Sequence, residues 1–95
     1  MRLTTLQVET VRNLVGAAMG EGSRIWLFGS RADDRRRGGD VDLYVEPERL
    51  PALVEEARCR GRLADELDLE VDLVVARPGL ARPIELIARA TGVPL

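Results

Sequence analysis

The sequence predicts a two-layer α+β domain, a small mixed β-sheet packed by helices, and three observations lead there. Apolar residues at helical spacing fill Thr5 to Ala18 and recur from Arg49 to Leu67. Between and after them lie short apolar runs of strand length, Arg24 to Phe28, Asp40 to Val45 and Glu70 to Val75. Two of those runs alternate acid with aliphatic residue, the period of a strand with one face buried.

Taken in order, Val8, Val11, Leu14, Val15 and Ala18 make the apolar stripe of a first helix, which Gly20 and Gly22 end. Arg24 to Phe28 reads as a buried strand, and Gly29 turns the chain. Ser30 with Asp33 three residues later resembles a capping pair whose free N–H groups suit an anion, and Arg35 to Gly39 reads as a loop. Strand two covers Asp40 to Val45, before Pro47 removes a ladder donor. Leu50, Leu53, Val54 and Ala57, then Leu63, Ala64 and Leu67, predict a helix weakened at Gly61. Strand three is Glu70 to Val75, and a last helix is expected from Pro83 to Thr91, stopped by Gly92.

Composition bounds the function. Ninety-five residues are expected to form a single domain spanning 1–95, with room for one modest core. No apolar run approaches the ~20 residues of a membrane span, and the N-terminus has no signal-peptide layout, so a cytoplasmic protein is expected. A net charge of −2 argues against nucleic acid as the main partner, since such binding needs an excess of cations. All 14 basic residues are Arg. Cys59 is alone and can form no internal disulfide. There is no His, which removes imidazole bases, imidazole metal ligands and Ser-His or Cys-His nucleophile pairs. Proton transfer must fall to carboxylates or water.

The chemistry concentrates between Leu27 and Val45. Gly29-Ser30 ends one apolar run and Asp40-Val41-Asp42 opens the next, so both aspartates project from one strand face. Glu70-Val71-Asp72-Leu73 repeats that grammar thirty positions later, with Asp72 in the place of Asp42. If the two strands are neighbours, Asp40, Asp42 and Asp72 cluster, and unit charges ~4 Å apart repel by roughly 1 to 4 kcal/mol. Oxygen-only ligands select a hard cation, and magnesium is commonly shared between one or two carboxylates, waters and substrate phosphates. Arg31 is placed to meet a phosphate; Glu70 shares the face of Asp72; Arg35 to Arg37 read as a solvated loop. Trp26, Phe28 and Tyr44 read as core or strand-pairing residues, with Tyr44 on the acid face.

Gly-Ser, a spacer, Asp-x-Asp and a later strand Asp together resemble the DNA polymerase beta-type nucleotidyltransferase superfamily, above all its minimal nucleotidyltransferases. The resemblance covers Ile25 to Val75 in motif terms and nearly the whole chain in its flanking helices. Departures fall in the loop, where Asp33 and Asp34 replace a Gly-containing turn and Gly39 stands where a Ser often precedes the first Asp. The resemblance implies a palm-like fold, Gly29, Ser30 and Arg31 against the triphosphate, and two Mg2+ ions on Asp40, Asp42 and Asp72, with Asp72 nearest the attacking hydroxyl. It further implies transfer of AMP from ATP to a tyrosine of a HEPN-type helical toxin, for which the chain would be the antitoxin, in a homo- or hetero-oligomer. Two rivals are a non-enzymatic antitoxin that blocks its partner by binding, and a nucleotidyltransferase acting on a small molecule.

Overall fold

The computed structural model describes residues 3–28, 40–78 and 91–95, with Asp40 described by its backbone. Helix α1 spans Thr5–Met19, strand β1 Arg24–Phe28, β2 Asp40–Glu46, helix α2 Leu53–Leu67, β3 Glu70–Val75 and β4 Val93–Pro94. The strands lie in the order β3-β2-β1-β4; β1 is antiparallel to both β2 and β4, and β2 is parallel to β3. The sheet is therefore mixed, as the sequence predicts. A parallel pair needs a crossover, and α2 supplies it.

Alternation sorts the strands into two faces. Ile25, Leu27, Val41, Leu43, Val45, Val71, Leu73 and Val75 are buried in one cluster with Val11, Val15 and Met19 of α1 and Cys59, Leu63 and Leu67 of α2. Each fully buried Val or Leu contributes roughly 1.5–3 kcal/mol of transfer free energy, which makes this layer the main source of stability. The opposite face carries a smaller cluster of Phe28 and Tyr44 with Trp26, Val74 and Ala76 packed against it. Trp26 and Tyr44 face each other across β1 and β2, their rings 5.5 Å apart and tilted by 35°. The aromatic residues are thus packed in the protein, as expected.

Helix α1 starts in a capping box: the Gln7 N–H donates to Thr4 Oγ1 at 3.1 Å and the Thr4 N–H to Gln7 Oε1 at 2.8 Å. It ends at Met19, one residue beyond the predicted bound, and is capped by Gly20, whose φ of 102° is unfavourable for any side chain. A second demand falls on the same glycine. A Cβ there would stand 2.5 Å from Glu48 Oε1, because that carboxylate accepts the Gly22 N–H at 2.7 Å. Ser23 Oγ donates toward the Met19 and Gly20 carbonyls and accepts from the Glu48 N–H. The Arg49 N–H reaches the Met19 carbonyl at 2.7 Å. The open C-terminal carbonyls of α1 are satisfied by the β2–α2 connection, which locks the two corners together.

The start and facing of α2 need correction. Helix α2 begins at Leu53, not Arg49, and its expected N-terminal apolar face is solvent-facing: Leu53 is 71% and Val54 56% exposed. With Leu63 turned to the sheet, a helix advancing about 100° per residue puts Val54, nine positions earlier, half a turn away. Cys59 occupies the core-facing place instead. The helix runs through Gly61 without a break, as the predicted span to Leu67 requires. Val93–Pro94, for which the sequence predicts no element, pairs with Trp26 and Leu27 as an edge strand, where proline's missing N–H costs no ladder bond. Strand β1 and β3 match the predicted bounds, and β2 extends by one residue to Glu46. The predicted helix from Pro83 lies outside the described residues apart from Thr91. Among the described residues no helix is long and apolar enough to cross a membrane.

Gly61, inside α2, and Gly20, the C-cap of α1, give opposite expectations. A Cβ at Gly61 meets nothing within 4 Å, so Gly61→Ala should raise stability by ~0.5–1 kcal/mol through helix propensity. Gly20→Ala should lower it by roughly 1–3 kcal/mol, the cost of holding a side chain at that φ with Glu48 displaced. Urea unfolding midpoints of the two variants read both effects.

Candidate active site

The parallel pairing of β2 with β3 aligns Asp40 with Glu70, Asp42 with Asp72 and Tyr44 with Val74. Residues opposite each other across a strand pair share a face, so Asp42 and Asp72 project side by side from strands about 4.8 Å apart. Phe28, the last residue of β1, is paired with Asp42 on its other side. One transverse row thus runs Phe28, Asp42, Asp72 across three strands. The row is on the face opposite α1 and α2, with Asp42 half-buried and Asp72 exposed.

The strand-to-strand proximity on which the sequence argument depended is therefore present. Asp40 begins β2, its backbone level with Glu70 on β3. Gly29, Ser30 and Arg31 follow Phe28 directly in the chain and lie outside the described residues, as do Arg35 to Arg37. Among the described residues no group of three carboxylates, thiols or imidazoles is set to hold a metal ion; the Asp40 side chain is not among them. The donors in the row are carboxylate oxygens alone, the set that suits magnesium when substrate phosphates and water complete the shell. Like charges directly opposite on a strand pair are unfavourable, so the Asp42 and Asp72 alignment calls for compensating positive charge.

Tyr44 shares the acid face but is only 1% exposed, and its hydroxyl donates to Glu46 Oε2 at 3.2 Å. It is a packed wall beside the row, closed to modifying reagents. Sequence reasoning missed Arg77, just past β3, which donates to the Pro51 carbonyl at 3.1 Å and to Glu56 Oε1 at 2.8 Å. That bracket fixes the end of the acid-bearing β3 against the start of α2, and only the fold brings these residues together. Cys59 lies in the helix layer, away from the row, with its Sγ 3.9 Å from the Leu14 carbonyl. Burial pushes its thiol pKa up, Arg62 partly opposes that shift and Glu56 adds to it.

Comparison with solved structures follows this geometry. The MntA–HepT toxin–antitoxin complex contains a chain that matches with a TM-score of 0.71 and 23% identity, over 96% of this chain and 70% of that one. A toxin–antitoxin structure with AMP-PNP matches with a TM-score of 0.74 and 24% identity, over 97% and 72%. A candidate minimal nucleotidyltransferase matches with a TM-score of 0.68 and 27% identity, over 98% of this chain and 97% of that one. This chain has the minimal nucleotidyltransferase fold. The family resemblance read from the Gly-Ser and Asp-x-Asp pattern thus holds at the level of the fold. Variants of the MntA–HepT complex have been solved with two alternate aspartates changed to glutamate, and with a tyrosine changed to alanine. No protein-family model matches the sequence, and no curated protein does.

A thiol whose folded-state pKa is raised contributes stability below its unfolded value of about 8.5, and that contribution fades as pH rises through the folded value. Unfolding midpoints should accordingly fall between pH 8 and 9.5, more steeply in the parent chain than in Cys59→Ala. Equal slopes would remove the buried thiol as the cause.

Proposed function

We propose that this protein is a nucleotidyltransferase that transfers AMP from Mg-ATP to a hydroxyl, a tyrosine, of a HEPN-type helical toxin and so acts as its antitoxin. The observation that carries the reading is the in-register pairing of Asp42 with Asp72 on the helix-free face, beside the strand end that leads into Gly29-Ser30. The nucleotide analogue and the toxin partner of the structural neighbours support it, as does the alternate spacing of the two altered aspartates in one of them. The same spacing occurs here at Asp40 and Asp42.

In this reading Asp40, Asp42 and Asp72 hold magnesium. Bound there, the ion would supply charge to offset the triphosphate and a Lewis acid to lower the pKa of the acceptor hydroxyl. The chain's own residues do the rest. Gly29 and Ser30 receive the phosphates through backbone N–H groups, and Arg31 meets a phosphate oxygen. Asp72, the acid on the outer of the two strands and exposed, orients the acceptor hydroxyl and takes its proton. The hydroxyl oxygen bonds to the α-phosphorus in line, the bond from that phosphorus to the α,β-bridging oxygen breaks, and pyrophosphate leaves with the electron pair. No histidine is required, in keeping with a sequence that has none.

With magnesium, the toxin and ATP labelled at the α-phosphate, label should pass to the toxin, and γ-label should not. Asp42→Asn and Asp72→Asn should each lower that transfer by ~10²–10⁴-fold. Asp72→Asn should stay folded, with stability unchanged or raised by up to ~1 kcal/mol, because it removes a like-charge contact. Full transfer by either variant would reject the assignment. Neutralisation of the toxin by a chain with both residues altered would instead favour the purely binding antitoxin.

A further inference from the structure

Glu70 is the one exposed carboxylate of β3 with no role in the proposed transfer, yet the sheet register sets it opposite Asp40 and two residues before Asp72. The register thereby sets the backbone of Asp40 level with Glu70 and that of Asp42 level with Asp72 on two adjacent strands, and alternation puts Glu70 on the helix-free face with Asp72. We infer that Glu70 is a positioning residue that sets the affinity of the catalytic face for its divalent cation, without being an inner ligand itself.

The inference rests on the proposed nucleotidyltransferase reading, because it takes Asp40, Asp42 and Asp72 as the inner ligands. Magnesium keeps several waters and takes only one or two protein carboxylates directly. A fourth carboxylate one strand spacing away therefore has two things to offer: its charge, and acceptor oxygens for the waters of the ion. Its exposure makes the effect electrostatic and open to salt, since the screening length falls from about 10 Å at 0.1 M to about 3 Å at 1 M. Burial cannot explain the residue, as the buried positions of β3 are Val71, Leu73 and Val75.

The test is direct titration of the full chain with Mn2+, followed by paramagnetic resonance of the free ion, without nucleotide or partner. Glu70→Gln should weaken binding ~3- to 10-fold at 0.1 M salt, and the difference should shrink below twofold at 1 M. Asp72→Asn should weaken binding further, with a loss that persists at 1 M salt. Unfolding curves confirm that both variants are folded; Glu70→Asp, which keeps the charge, should retain parent-like affinity and guards against a backbone effect. Unchanged Mn2+ affinity in Glu70→Gln overturns the inference, and so does a loss as large and as salt-resistant as that of Asp72→Asn. Parent-like binding by Asp72→Asn would overturn the underlying ligand assignment, an outcome separate from either of those.

Discussion

The register between β2 and β3 is the constraint on which the rest of the molecule depends. Val41, Leu43 and Val45 stand level with Val71, Leu73 and Val75, and all six are buried under the helices. A slip of β3 by one residue would turn Glu70 and Asp72 toward the helix layer and its valines and leucine to the open face. Each misplaced apolar side chain would lose roughly 1.5–3 kcal/mol, and each buried carboxylate would cost several more. Packing of one face therefore dictates the alignment of the acids on the other.

That alignment is carried by regular structure and braced at both ends. Helix α2 connects the two acid-bearing strands, and its start is held by the Arg77 bracket to Pro51 and Glu56. At the opposite end of the β2–α2 connection, Glu48 and Arg49 are tied to the end of α1 through Gly20, Gly22, Ser23 and Met19. Both braces use polar groups near the surface, where a single bond contributes only about 1 kcal/mol. Their value is geometric, in that carboxylates on adjacent strands keep a fixed separation when the strands cannot slide.

The two faces also divide the chemistry. Behind the sheet, Cys59 is a small buried apolar residue with a raised pKa. In front, the aromatic packing of Trp26, Phe28 and Tyr44 borders the acid row, so hydrocarbon walls and carboxylates share one surface.

The sequence by itself determined β1, β2 and β3, the two-faced alternation within them and the identity of the acids, because period-two patterning is a local property that no packing partner needs to supply. It also determined where α1 ends, since Gly20 is demanded by φ as well as by sequence pattern. Tertiary structure alone decided that Asp42 faces Asp72, because register is a relation between segments thirty residues apart. It decided the facing of α2 too: Leu53 and Val54 look as apolar as Leu63, and only the docking of Cys59, Leu63 and Leu67 selects which side is buried. The Glu48 corner, the Arg77 bracket and the β4 edge pairing belong to the same class. Each is a contact between residues distant in sequence, whose free energy exists only once the sheet has brought them together.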